Sequence, residues 1–270
     1  MSSINTNIGA LVALRNLSAT NSSLERTQDR VSTGLRVVGP KDDGSTFSIA
    51  QGLRADLKAF DAVQQSLSSG RGVVAAGIAG ATAVSDLLAD IKKKVIEASN
   101  PANTETQQSI LAADFESMLS QLNTFISNAV YNGRNLISQG STAVSITSTI
   151  TGGQLTIASA SGLGNISVAI SAGVGTTAGA LSLLTAIAAQ ELTIGNALGT
   201  LGAASKSIDF LTSFTKTLSD AVTEGLGALV DADLAKESAQ LQALQVKQQL
   251  GISALAIANQ RPQTLLSLFQ

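Results

Sequence analysis

Apolar residues return every three or four positions along both ends of this chain. From Ala10 the series Leu14, Leu17, Asn21, Leu24, Gln28, Val31 and Leu35 steps by fours and threes. That is the seam of a coiled coil, with polar positions that fix register at some cost in stability. The stretch Gly39-Pro40-Lys41-Asp42-Asp43-Gly44 interrupts it and reads as a loop. A second series follows through Leu53, Leu57, Phe60, Gln64, Leu67, Arg71, Val74, Ile78, Ala81, Ser85 and Leu88, and Asn100-Pro101 ends it. Glycines at 70, 72, 77 and 80 cost that helix about 1 kcal/mol each relative to alanine but permit close helix approach. A third helix is expected from about Thr104 to Asn128, with Leu111, Phe115, Met118, Leu122, Phe125 and Ala129 on one face. Near the C-terminus two more are expected. One runs from Gly179 to about Val222. The last carries Val230, Leu234, Leu241, Leu244, Gln248 and Leu255 and is closed by Arg261-Pro262.

The middle of the chain changes character. Tyr131-Asn132-Gly133-Arg134-Asn135 is a turn built on a strong turn dipeptide. No charged residue then occurs from Asn135 through Gln190. Within that stretch Ala143–Ile150, Gln154–Ala158 and Asn165–Ile170 alternate β-branched and small residues between glycine pairs, which predicts two or three short strands in hairpins. The expected fold is therefore mainly α. A long antiparallel helical coiled-coil rod forms from the N- and C-terminal segments, and a small β-hairpin region lies in the middle. A helix of about 40 residues reaches roughly 60 Å at about 1.5 Å per residue. Pairing the two terminal helices is the economical way to cover their apolar faces. Faces that stay apolar after pairing need further partners, which points to self-assembly.

Composition removes most chemistry. The 270 residues allow one or two domains at roughly 100–200 residues each. With aromatics at 3%, the core must be built from Ala, Leu, Val and Ile. Histidine, cysteine and tryptophan are absent, so Ser-His-Asp and Cys-His nucleophile pairs and His or Cys zinc sites cannot be assembled. No catalytic, cofactor-binding or metal-ligating residue is expected, and no cofactor. A net charge of −2 argues against a nucleic-acid partner. Neither a cleavable secretory signal nor a run of about 18 consecutive apolar residues is visible, so membrane insertion is not expected.

Several short motifs then carry a resemblance. Ser3-Ile4-Asn5-Thr6-Asn7 and Leu14-Arg15-Asn16-Leu17 resemble the start of a bacterial flagellin. Arg30-Val31-Ser32-Thr33-Gly34-Leu35-Arg36-Val37, with Lys41-Asp42-Asp43 after it, is similar to the family's R-L-S-T/S-G-L-R-I…K-D-D segment. Val31 stands for the usual Leu, and Gly44-Ser45 stands for Ala-Ala. Tyr131-Asn132-Gly133 sits where the family has Phe-Asn-Gly. Asp231-Ala232-Asp233-Leu234-Ala235-Lys236-Glu237-Ser238 and Ala258-Asn259-Gln260-Arg261-Pro262-Gln263 resemble its C-terminal signatures. The likeness covers roughly 1–137 and 179–270, with short alphaproteobacterial flagellins the most similar in length and ending.

This resemblance implies a structural subunit that polymerises into the helical flagellar filament used for swimming, not an enzyme. It implies residues 1–43 with 229–270 as an inner coiled-coil domain and 44–137 with 179–228 as a helical rod. The stretch 138–178 would be a short β-rich outer segment of the rod, with no large outer domain. Polymerisation contacts would come from Leu14, Leu17, Leu24, Val31, Leu35, Leu234, Leu241, Leu244, Leu255, Leu265, Leu268 and Phe269. Arg36, Lys41, Asp42 and Asp43 would form the loop between domains. In Leu88, Asp90, Ile91 and Lys94 the sequence departs from the segment that a Toll-like receptor recognises, because Asp90 replaces the key arginine. The implied partners are further copies of the chain, hook-associated and cap proteins, the flagellar export apparatus and an export chaperone. The implied location is secreted and extracellular, in the filament. Two alternatives remain at this point: a hook–filament junction protein of the L type, and a membrane-surface amphipathic helical protein.

Overall fold

The computed structural model describes residues 6–171 and 174–266. In chain order the elements are α1 (Ile8–Thr33), α2 (Gly44–Ala98), α3 (Glu105–Asn128), β1 (Val130–Tyr131), β2 (Arg134–Asn135), β3 (Val144–Thr147) and β4 (Gln154–Ile157). A 3₁₀ turn (Ser161–Asn165), α4 (Ile166–Ala169), α5 (Thr177–Val230) and α6 (Leu234–Leu266) complete it. Two compact units emerge, Met1–Leu57 with Ala221–Gln270 and Lys58–Asp220.

In the first unit α1 and α6 pair along their lengths. Gly34 ends α1 at φ 71°, with its N–H on the Arg30 carbonyl. That left-handed conformation is open to glycine without steric penalty. The chain beyond it is tied to the other terminus. Leu35 bridges Asp231, Arg36 N–H donates to the Val230 carbonyl at 2.7 Å, and Ala232 N–H donates to the Gly34 carbonyl at 2.9 Å. Beneath these bonds Val37, Ala50 and Val230 form a small buried cluster, flanked by Leu35, Phe47, Leu226 and Leu229.

The second unit holds the larger core. Val63, Leu67, Val74, Ala81, Leu88 and Ile91 of α2 meet Phe115, Leu122 and Ile126 of α3 and Leu183, Ile187, Ile194, Leu201 and Ile208 of α5. Thr104 and Gln107 make a reciprocal capping box at the start of α3. Asn132 and Gly133, both at positive φ, join β1 to β2. Of the six α2 glycines, Gly70, Gly72, Gly77 and Gly80 mark where other segments lie against that helix. A Cβ on Gly72 would strike the Tyr131 ring, and one on Gly70 would lie 2.5 Å from Ile146. One on Gly80 would lie 2.5 Å from Ala129 Cβ and 2.8 Å from Ile137. The propensity lost at these positions therefore lets the β1–β2 turn and β3 pack on α2.

Three expectations need correction. Asn165–Ile170 is helical, not a strand. With Leu163 of the preceding turn, its buried Ile166 and Ile170 recur at steps of three and four, so the period is that of a helix and the apparent alternation is incidental. Val230 closes α5, which runs eight residues past Val222, and the chain breaks only at Asp231–Asp233. Finally, α6 continues through Pro262 to Leu266. Proline has no N–H for the carbonyl four residues back. That carbonyl, on Ala258, instead accepts the Asn7 side-chain amide at 2.7 Å.

By length and composition alone, α2 and α5 each contain a window apolar enough to cross a membrane. Each is also far longer than one crossing needs, and each supplies core residues to the packing above.

Candidate polymerisation surface

The α1–α6 pair is held in register by polar contacts spread along it. Asn7 caps α1 by accepting from Ala10 N–H at 3.1 Å, while its amide donates to Ala258. Gln248 Nε2 donates to Asn21 Oδ1 at 2.9 Å and Arg30 Nη1 donates to Glu237 Oε1 at 3.3 Å; just beyond the pair, Arg36 Nη2 donates to the Leu229 carbonyl of α5 at 2.6 Å. Partner numbers fall on α6 as they rise on α1, as an antiparallel pair requires. Glu237 is buried, and its second oxygen and Arg30 Nε have no hydrogen-bond partner among the described residues.

Burial locates the seam itself. On α1 it follows Ala10, Ala13, Leu17, Thr20, Leu24, Thr27 and Val31; on α6 it follows Glu237, Leu241, Leu244, Gln248, Gly251, Leu255 and Ala258. Both keep the step of threes and fours. The α1 seam is thus rotated slightly from the one read in sequence. Ala13 and Thr27 face α6 where Leu14 and Gln28 were expected, and Leu14 is left 52% exposed. The seam mixes Leu17, Leu24, Val31, Leu241, Leu244 and Leu255 with small and polar residues, and most of these side chains stay half-buried.

Larger side chains point the other way. Ile8, Leu11 and Val12 are exposed on α1, and Val246, Leu250, Ile252 and Ile257 are exposed on α6. Sequence reading missed these seven. Ile8, Leu11 and Val12 repeat at helical spacing, as do Val246, Leu250 and Ile257, but on a second face of each helix. That signal could have been read had two stripes been sought instead of one. Among the expected residues, Leu24 and Leu244 are buried, Leu17, Val31, Leu35, Leu241 and Leu255 are half-buried, and Leu234 is exposed. Leu268, Phe269 and the side chain of Leu265 lie outside the described residues, as does the Ser3-Ile4-Asn5 motif.

The loop residues have defined local roles. Asp42 accepts from Val38 N–H at 3.0 Å and Gly39 N–H at 3.2 Å, which folds the loop back on itself. Lys41 is exposed. Asp43 caps α2. It accepts from the Thr46 hydroxyl at 2.5 Å, Thr46 N–H at 3.1 Å, and the Ser45 hydroxyl and N–H at 2.8 and 3.1 Å. These donors, the Thr46 hydroxyl foremost, lower its carboxyl from an ordinary 3.8 to about 2. The contribution to stability is therefore complete above pH 3.8 and lost as pH falls through about 2. Urea unfolding across that window should show the wild type losing more stability than Asp43→Ala. Parallel losses would show that the cap carries no such linkage.

Leu88 and Ile91 are buried in the larger core, whereas Asp90 is exposed on the same helix. Lys94 pairs with Asp114 at 3.3 Å and Glu97 at 3.6 Å. The Asp114 contact, then the Glu97 charge, raise its pKa. Among the described residues no cluster of three or more metal-binding side chains occurs.

Comparison with known proteins gives one answer for both ends of the chain. Residues 4–142 match the N-terminal helical region of bacterial flagellin, and residues 184–269 match its C-terminal helical region. Flagellin FljM of Caulobacter vibrioides is 37% identical over 100% of this chain and 99% of its own length. A flagellin of Brucella melitensis is 39% identical over the whole of both chains. Among solved structures, a flagellar hook-associated protein from Vibrio parahaemolyticus superposes with a TM-score of 0.61 over 70% of this chain and 100% of its own. At 15% identity that last likeness speaks for the fold alone.

Proposed function

This chain belongs to the bacterial flagellin family, a structural subunit of the motility filament, and we propose that it assembles through the outward apolar faces of α1 and α6. The observation that carries this reading is a second apolar stripe, left exposed on the helix pair. Leucines and a valine share its seam with small and polar residues, while a second set of leucine, isoleucine and valine side chains faces water. A monomer gains nothing from such an arrangement; a polymer buries it. Residues 1–43 and 229–270 then form the inner coiled-coil layer of the filament and 44–137 with 179–228 its helical rod layer. The stretch 138–178 is a short outer segment of the rod, without a large outer domain.

The junction-protein alternative is not favoured, because relatives matching this chain from end to end at this identity are flagellins. As a filament subunit the chain leaves the cell through the flagellar export apparatus with the help of a chaperone. It adds beneath a cap protein, works outside the cell and carries out no catalysis. Electron microscopy of purified protein with filament seeds tests the core of this reading. The expected result is regular tubes roughly 100–250 Å wide, the scale of radially stacked helical layers. Persistent monomers in the presence of seeds would overturn it.

The departed receptor segment gives a second expected outcome. Asp90 presents a negative charge where recognised flagellins present arginine, and a like-charge placement costs several kcal/mol at an interface. Purified monomer should therefore stimulate a Toll-like-receptor reporter cell about 100-fold less than a recognised flagellin. A comparable response would refute the assignment of that segment.

A further inference from the structure

Phe210 and Phe214 of α5 are 75% and 60% exposed, while Phe60 and Phe115 are buried. One turn further on, Leu218 continues the same line. This aromatic ridge belongs to the unit Lys58–Asp220 and not to the terminal helix pair. The same unit carries a groove of about 570 Å³ between α2 and β3. Ala62, Ser66 and Ser69 line one wall and Val144 and Ile146 the other, with Arg134 the one charged residue among the described lining. Ser66 Oγ accepts the Thr147 N–H at 3.0 Å and holds the walls together.

Ridge and groove lie on opposite flanks at similar height. Arg71 of α2 pairs with Asp209 of α5, and Lys92 pairs with Glu191, so the two helices run antiparallel with residue 71 level with 209. Asp209 turns toward α2. At about 100° per residue Phe210 is turned away from α2, and Phe214 stays on that flank one turn later. On α2, Arg71 turns toward α5, and the same stepping puts Ser66, Ser69 and Ala62 on the flank that faces β3. A convex aromatic face and a concave one lined by small, β-branched and polar residues, Gln65, Asn132 and Arg134 among them, thus sit back to back on one unit. A helical polymer needs two different, complementary surfaces, because a self-complementary patch closes into a dimer.

We propose that the Phe210–Phe214 ridge of one subunit seats in the α2–β3 groove of a second copy, giving the filament a lateral contact separate from the terminal helices. This rests on the filament reading above and names which faces meet. The chain has no cysteine, so each introduced thiol is unique. Thr217→Cys, exposed beside the ridge, and Ser69→Cys, in the groove, are purified separately, mixed, polymerised on seeds and treated with a short bis-maleimide. Ser213→Cys and Ala62→Cys replace either one that stays out of filaments. Dimers should form several-fold more in the mixed filament than in filaments of either single variant, or in filaments pairing Thr217→Cys with Thr82→Cys, which is exposed elsewhere on α2. The double variant Phe210→Ser/Phe214→Ser should need at least about tenfold more protein to assemble, with an unchanged far-ultraviolet circular dichroism spectrum. Filaments of normal yield without the specific cross-link would overturn this pairing and leave the filament reading standing. Absence of filaments from the wild-type chain would overturn both.

Discussion

A chain carrying Leu11→Asp and Leu250→Asp should remain a folded monomer and fail to enter filaments. Both leucines face water in the isolated chain, 51% and 63% exposed, on the outward sides of α1 and α6. Exchanging them removes no seam contact, since the pair is held by Leu24, Leu244 and the Asn7, Asn21 and Arg30 bonds. In a polymer that covers this face, each carboxylate would be buried without a partner at a cost of several kcal/mol. Each 1.4 kcal/mol is about tenfold in an equilibrium, so the protein concentration needed for assembly should rise about 100-fold or more. Sedimentation of seeded polymer reads that concentration, and circular dichroism confirms the helices. Leu24→Ala is the informative contrast, because it weakens the monomer's own seam. Unchanged assembly of the double aspartate variant would mean that the outward face is not the polymerisation surface.

A second large effect is expected inside the larger unit, with opposite signs at two glycines. A Cβ at Gly164 would run into the backbone of Gln139 and Ser138. Backbone atoms cannot rotate aside as a side chain can, so Gly164→Ala should destabilise by about 1–3 kcal/mol. Gly195 stands within α5 with nothing inside 4 Å of where its Cβ would be. There the same substitution should stabilise by about 1 kcal/mol through helix propensity alone. Urea denaturation of both variants checks the pair. Equal effects would mean that residues 161–165 do not press on the segment after β2.

How much of this was legible beforehand differs from element to element. The α3 boundaries follow from Thr104 and from the turn at Asn132-Gly133, because caps and turns are local chemistry that the residues carry with them. Asn165–Ile170 was misread because a short run of Ile, Val, Ser and Ala alternates by two while its burial recurs by three and four; six residues are too few to separate the periods. Pro262 looked like a helix end because its missing N–H is visible in sequence, whereas the Asn7 amide that satisfies the orphaned carbonyl comes from the other terminus. Within the candidate surface the seam was read to within one residue of rotation. The stripe beyond it was not, since two apolar faces on one helix blur each other's period.

By itself the sequence determined that this is a helical chain with paired ends, without catalytic histidine or cysteine, in the flagellin family. Those properties reside in residue identity, in spacing and in motifs, and all are local. Which apolar stripe is seam and which is surface was decided only by tertiary structure. Ala13, Thr20 and Thr27 are no more apolar than their neighbours, but they are small enough to let α1 approach α6. With Leu17, Leu24, Leu241, Leu244 and Leu255 on the paired side, Leu11, Leu14 and Leu250 are left outward. The same holds for Phe210 and Phe214, whose exposure depends on which side of α5 meets α2. A side chain's fate at such positions is set by what lies across from it, and that is a property of two segments far apart in the chain.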